Sequence, residues 1–471
     1  MSFHSVEFAV FFAVVVALYY AIPYARRVPV LLAASLLFYL SFAAQNIYVL
    51  AGLIVAGYAT GHLIDRAPSD GWRKFWLVSA LAADLSVMAV FKYSPEVIGR
   101  SFGVIPIGLS FHTFQAMSYA IEVYRGRQPA ERSLQVFALY IMFFPQIAAG
   151  PIERPGDMLP QFRKPHPFRY ADVVAGLQLM VWGLFQKYVV ADHLARIVNA
   201  IYDNPHRLSG PITAFGAVCF SFQIFCDFAG YSEIALGAAQ VMGLRLTRNF
   251  NIPFHADSMA EYWKRWHITL SNWMRDYVFF PLCGHRPRMP RICASIMLVF
   301  LANALWHGAR LNYLVSGLLH GTYRVTELLS SRAMSRAGWT LKERWRQPAK
   351  VARTLLVFAL MTFAFLFFRG RNLAESLTVV GRLFSGWGDL MRPAAIAAGF
   401  QRAYLPAHAV IEAVALIVVI EAVQFLRSSG PLRPRIAALP FWWRWSLYYA
   451  GAAATLLMVP QTVGPFIYFA F

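Results

Sequence analysis

ICASIMLVFLANALWHGARLN (292–312) opens with ten residues that carry no charge, then changes character. Such a run is what a bilayer core selects, because lipid offers the backbone no hydrogen-bonding partner and an apolar helix satisfies itself. Asn303 and the triplet Trp306-His307-Gly308 then stand where lipid-facing segments carry Leu and Val. An imidazole at that depth must find a partner or stay neutral, and both cost free energy. Ionisable groups inside membrane segments are therefore read first as functional.

The rest of the chain is written in the same alphabet. Of 471 residues, 58% are hydrophobic, 16% aromatic and only 14% charged. Apolar runs of about 17–22 residues recur near 7–24, 28–45, 47–64, 75–92, 103–123, 133–150, 172–191, 211–227, 291–309, 311–329, 351–369, 405–426 and 442–463. The expected fold is an all-α polytopic membrane protein with about 11–13 membrane segments, re-entrant and interfacial helices included. The run 133–150 is the re-entrant candidate: it ends in Ala149-Gly150-Pro151 and has basic residues on both flanks. Neither a repeat nor a linker divides the chain, so a single domain over 1–471 is expected.

The net charge of +20 suggests nucleic acid at first. The basic residues, however, sit in short loops between apolar runs, where the orientation rule for membrane helices places Lys and Arg. No nucleic-acid partner is expected; the lipid bilayer is. Loop 331–353 holds seven Lys or Arg and is placed on the cytoplasmic side, with 192–210 and 370–404 outside. The first run precedes Arg26-Arg27 and has no positive leading region, which reads as a retained span with its N-terminus outside. Four cysteines form no C-x-x-C pair. They are read as packing thiols, with no metal site.

The stretch 245–290 is too polar to span and too aromatic for an ordinary loop. Ser258 and Glu261 have the spacing of a capping box, and 100° per residue gathers Trp263, Trp266, Leu270, Trp273, Met274 and Tyr277 on one face. One amphipathic interfacial helix is expected, with His267 at the edge of its apolar face.

Three of the twelve histidines warrant attention: His267, His307 and His320. For His320 the reading is a neutral imidazole holding two helices together. His307 has better neighbours, since Gly308 permits close approach and Asn303, one turn earlier, is placed to orient the ring. A neutral histidine accepts a proton from a hydroxyl as it attacks an acyl carbon. The acids Asp227 and Glu233 either line a polar channel or bond to helix ends. No G-x-S-x-G, H-E-x-x-H or phosphate-binding glycine loop competes.

WKRWHITLSNWMRDYVFFPL (263–282), followed by ALWHG (304–308) with the histidines 40 residues apart, resembles the membrane-bound O-acyltransferase (MBOAT) superfamily. PIGLSFHTFQAMSYAIEVYRG (106–126), FFPQIAAGPIERPGDMLPQF (143–162) and DFAGYSEIALGAAQVMGLRLTRNFNIPF (227–254) resemble its bacterial branch that O-acetylates exported polysaccharides such as alginate. One departure is His112, where that branch has Tyr.

The resemblance implies helices ringing a central acyl-transfer tunnel, with a cytosolic donor entrance and an outer acceptor funnel. It makes His307 the signature catalytic residue and His267 the second, with Asn303, Trp306, Gly308, His320 and Asp227 supporting. No bound cofactor is implied. Related enzymes take the acyl group from acyl-CoA or an acyl carrier protein. The resemblance makes acetyl-CoA the expected donor, a periplasmic acetyltransferase or polysaccharide-modifying protein the expected partner, and the bacterial inner membrane the expected location. A straight helix puts His307 about 24 Å from Arg291. This separates the histidines, with His267 at the donor end and His307 at the acceptor end. The aromatic ending FIYFAF (466–471) contains Tyr468, read either as a transient acyl shuttle or as an interfacial anchor. Two other functions stay open: D-alanyl or other acyl transfer from a carrier protein, and transport with His307 and Asp227 as a proton relay.

Overall fold

The computed structural model describes residues 1–471 apart from 2, 4, 98, 100–104, 148–149, 204–205, 207, 339, 459–463, 465 and 468–471. Helices dominate, and no strand occurs among the described residues. Among the described residues, seven helical stretches are long and apolar enough to cross a membrane: Tyr24–Asp65, Asp70–Ser94, Tyr170–Tyr202, Gly210–Val241, Met289–His307, Glu343–Arg369 and Ala407–Ser428. Their outward faces carry Leu355, Ile411 and Val418, each at least 60% exposed. Branched aliphatics in that number are stable only against lipid. The chain is an all-α polytopic membrane protein.

The longer list of apolar runs differs from these seven for physical reasons. Val6–Ala21 and Leu109–Tyr124 have 16 residues and Phe441–Leu457 has 17, each short of the ~20 that a perpendicular helix needs. Tyr24–Asp65 contains two helices, Arg27–Ala43 and Ile47–Asp65, joined by a tight turn. The run that ended at 227 by hydropathy continues to Val241, carrying Asp227 and Glu233 inside one 32-residue helix.

By its contacts the chain forms two compact units, and each is described separately. The first comprises 1–184 and 230–248. Its centre is the Leu109–Tyr124 helix, buried along nearly its whole length, His112 included. Ile47–Asp65 and Asp70–Val97 pack on this helix. The re-entrant candidate is helical only over Leu134–Met142, nine residues, and leaves helical geometry at Phe143. The described residues beyond, 143–147 and 150–153, are buried, and several of their polar groups find partners. Phe144 N–H donates to Ser35 Oγ (3.0 Å), and Gln146 Nε2 donates to the Tyr140 carbonyl (2.8 Å). Irregular backbone at membrane depth persists under such conditions. Glu153 follows, accepting from Thr247 N (2.6 Å) and Thr247 Oγ1 (3.0 Å). Burial pushes its carboxyl up to about 7 against the pull of those bonds. Tyr170–Leu184 lies close to residues 230–241: a Cβ on Gly176 would come within 2.5 Å of the Gly237 carbonyl oxygen. Small residues at such crossings let backbones approach.

The second unit comprises 185–229 and 249–467. Met289–His307 packs along Leu311–Arg336, which packs in turn on Glu343–Arg369. Buried Asn312 closes the end of the last helix, donating from Nδ2 to the carbonyls of Phe367 (3.0 Å) and Gly370 (2.7 Å). Those are C-terminal carbonyls that a helix leaves without partners of its own.

Candidate functional site

The stretch expected as one amphipathic helix is two. Met259–Arg265 starts where the capping signal places it, with Ser258 Oγ accepting from Glu261 N (3.1 Å). The reciprocal arm is absent. The Glu261 carboxylate turns to Arg265 Nε (2.9 Å), and Glu327 accepts instead from Met259 N (2.6 Å) and Ala260 N (3.1 Å). The helix breaks at Trp266, which is extended, and His267 takes the left-handed conformation at φ 43° before Ile268–Met274 resumes. Residues 249–251 impose the break. Asn251 N donates to the Arg265 carbonyl (2.9 Å), and Ile268 N donates to the Asn249 carbonyl (2.9 Å). The Asn249 side-chain oxygen then caps the second helix, accepting from Thr269 N (3.2 Å) and Thr269 Oγ1 (2.6 Å). A left-handed non-glycine residue is disfavoured by about 1–2 kcal/mol and persists only where its surroundings over-determine it.

The break changes where His267 points. Instead of riding the edge of an interfacial face, it is 1% exposed, with its ring perpendicular to Phe228 at 4.6 Å and to one side of Trp306 at 5.9 Å. Burial pushes this imidazole down to about 3. It is therefore neutral at physiological pH.

His307 is the last residue of Met289–His307, where the sequence pattern set it. Its ring meets Trp306 at 4.7 Å and stands perpendicular to Phe368 at 4.9 Å. Both histidines thus contact one indole, and their rings can lie no farther apart than those two contacts together. This overturns the separation inferred from a straight helix, because the turn at 266–267 swings His267 inward.

Two supporting roles change as well. A Cβ on Gly308 would come within 2.9 Å of Tyr313 Cε2, so the room beside this glycine holds the Tyr313 ring. Tyr313 lies tilted against Phe368 at 5.3 Å, the other wall of His307. Asn303 Oδ1 is buried without a hydrogen-bond partner, so the orienting bond expected from His307 is not made through it. The His320 ring lies against Trp263 (5.1 Å) and Phe300 (6.0 Å).

Asp227 is 2% exposed. One oxygen pairs with Lys187 Nζ (2.6 Å), and the other accepts from Ile467 N (2.9 Å). It bonds to chain near the C-terminus, while Tyr468 falls outside the described residues. Sequence reasoning missed Asn249, Asn312, Tyr313, Phe368 and Lys187. Most act through partners remote in the chain, which the quoted stretches holding Asn249 and Asn312 do not reveal. The cysteines are unbridged, three buried and Cys293 half-buried.

Comparison with known proteins fits this arrangement. The model of the MBOAT, membrane-bound O-acyltransferase family, matches residues 108–368, which include His267 and His307. The chain is 34% identical over 398 residues to the probable alginate O-acetylase AlgI of Pseudomonas aeruginosa, covering 80% of this chain and 73% of that one. It is 30% identical over 387 residues to the peptidoglycan O-acetyltransferase of Helicobacter pylori, covering 74% and 72%. The teichoic acid D-alanyltransferase of Bacillus subtilis is 27% identical over 276 residues, covering 56% and 69%. With two buried histidines against one tryptophan in a multi-pass helical chain, and these likenesses along most of its length, the protein belongs to the membrane-bound O-acyltransferase family and is an acyltransferase.

Proposed function

We propose that this acyltransferase takes an acetyl group from acetyl-CoA on the cytosolic side of the bacterial inner membrane and passes it outward, to a periplasmic partner that acetylates a polysaccharide hydroxyl. The observation that carries the reading is the His267–Trp306–His307 cluster. It places two imidazoles against one indole, within the span of residues that matches the family. His307 serves as the base: its neutral ring nitrogen takes the proton of an attacking hydroxyl as the oxygen bonds to the acetyl carbonyl carbon. The thioester C–S bond then breaks, and the sulfur leaves as a thiol on taking that proton back from the His307 imidazolium, which regenerates the base. His307 retains 9% exposure, which suits a group that must meet substrate, whereas fully enclosed His267 supports the site from behind the shared Trp306. The basic loop 331–353 would steer an anionic donor. Tyr468, next in the chain after Ile467, is the proposed hydroxyl that carries the acetyl group before the partner receives it. No bound cofactor is needed for these steps.

The likeness to a D-alanyltransferase supports a second reading, in which the donor is an aminoacylated carrier protein. Acetyl-CoA cleavage by purified protein in nanodiscs, with the partner added, separates the two. Turnover in wild type that vanishes in His307→Gln at unchanged elution is the expected result. Undiminished turnover in His307→Gln would falsify the assignment of the base. Labelled acetyl trapped on wild type but not on Tyr468→Phe is expected for the carrier role. Full transfer by Tyr468→Phe rules that role out.

A further inference from the structure

Lys187 lies in a π-helical turn, Phe185–Ala191, inside the Tyr170–Tyr202 stretch. Such turns are rare and frequently mark functional positions, because the extra residue re-aims side chains. Here the side chain is aimed into the second unit, 7% exposed, between Asp227 Oδ1 (2.6 Å) and Asp192 Oδ1 (2.8 Å). Two carboxylates facing one ammonium in an apolar setting make a poor device for stability alone. Desolvation consumes most of the attraction, and well-packed aliphatic side chains would hold the helices at least as well.

The remaining bonds of the cluster supply a reason. Lys187 Nζ also donates to the Gly464 carbonyl (3.2 Å), and Asp227 Oδ2 accepts from Ile467 N (2.9 Å). Between those anchor points Phe466, 6% exposed, meets the Phe228 ring at 5.9 Å. Phe228 also meets the His267 ring, at 4.6 Å. Gly464 and Ile467 belong to no α-helix, so their backbone groups need polar partners wherever water is excluded. The cluster provides one acceptor and one donor for them, from residues more than 200 positions away in the chain.

We propose that Lys187 and Asp227 form a polar latch that, by holding Gly464 and Ile467, positions Phe466 against Phe228, and through it beside the His267 ring. Both are positioning residues. The latch stands on these contacts alone, and its consequence for acyl transfer rests on the reading of Tyr468 as carrier. Asp192 completes the charge environment of Lys187.

Hydrogen exchange of the full-length protein in nanodiscs, followed by mass spectrometry with fragmentation to resolve the Ile467 amide, tests the latch. In wild type this amide is expected to be protected. Lys187→Met combined with Asp227→Leu removes both bonds and is expected to raise its exchange about tenfold or more, with the Leu109–Tyr124 peptides unchanged. Asp227→Asn keeps an acceptor for Ile467 N while removing the charge, and is expected to fall between the two. It also serves if the double variant does not elute as a single species. Equal exchange in wild type and Asp227→Asn, with no increase in the double variant, overturns the latch. Tyr468→Phe is expected to leave Ile467 protection as in wild type. Loss of the carrier role in that variant therefore reads separately from loss of the latch.

Discussion

Asn249→Ala is the sharpest perturbation of the site that leaves both histidines in place. The Asn249 side chain, 1% exposed, accepts from two donors of Thr269, the backbone N–H at 3.2 Å and the hydroxyl at 2.6 Å. Losing the acceptor for a buried donor costs about 1–3 kcal/mol each, and rotation of the hydroxyl to another acceptor would recover part of its share, leaving a cost of about 3 kcal/mol. The backbone bond from Ile268 N to the Asn249 carbonyl survives the substitution, so the segment stays near its place. What weakens is the restraint on His267, whose left-handed backbone relaxes by about 1–2 kcal/mol once it is free to. At 1.4 kcal/mol per tenfold, opening of residues 266–274 is expected to become about a hundredfold more frequent. Hydrogen exchange of that peptide in nanodiscs reads the opening directly, and acetyl-CoA cleavage is expected to fall with it. Asn249→Asp retains the acceptor oxygens and is expected to restore most of the protection. Unchanged exchange and cleavage in Asn249→Ala would mean that the cap does not hold His267, and the account of the helix break would be wrong.

Other expectations follow from the same contacts. Gly308→Ala puts a methyl 2.9 Å from Tyr313 on backbone that any residue adopts, so its cost is overpacking, about 1–3 kcal/mol, transmitted to Phe368 and His307. Thioester cleavage is expected to drop and to recover in part when Tyr313→Leu is added; no recovery would show that the methyl acts elsewhere. Glu153 carries a pH signature. Its folded value of about 7 lies above the usual 4.5, so the folded state binds the proton more tightly. The associated stability is full below pH 4.5 and is lost as pH rises through 7, amounting to about 3 kcal/mol. Thermal midpoints measured from pH 4.5 to 7.5 are expected to fall more steeply in wild type than in Glu153→Gln, and parallel curves would contradict the burial argument.

The presence of most membrane helices and the prominence of His307 were legible in the sequence, for a definite reason. Hydropathy over about 20 residues reports whether a segment survives in lipid whatever its neighbours, and a histidine at the end of such a segment is costly enough to stand out. Ser258 likewise announced a helix start through an interaction three residues long. The spacing of Trp263, Trp266, Leu270 and Trp273 could not show that the helix breaks at His267. Both halves keep an apolar face, and the bonds that divide them come from residues 249–251. The room at Gly308 is likewise filled by a side chain five residues on, and the acid at Asp227 is answered by Lys187 and Ile467. The sequence by itself determined a multi-pass helical acyltransferase and one of its histidines, because burial in lipid and signature motifs are local. Only the tertiary structure decided that His267 and His307 share a tryptophan and that a buried lysine and aspartate hold the C-terminal segment. Those relations depend on backbone groups whose partners lie far away in the chain.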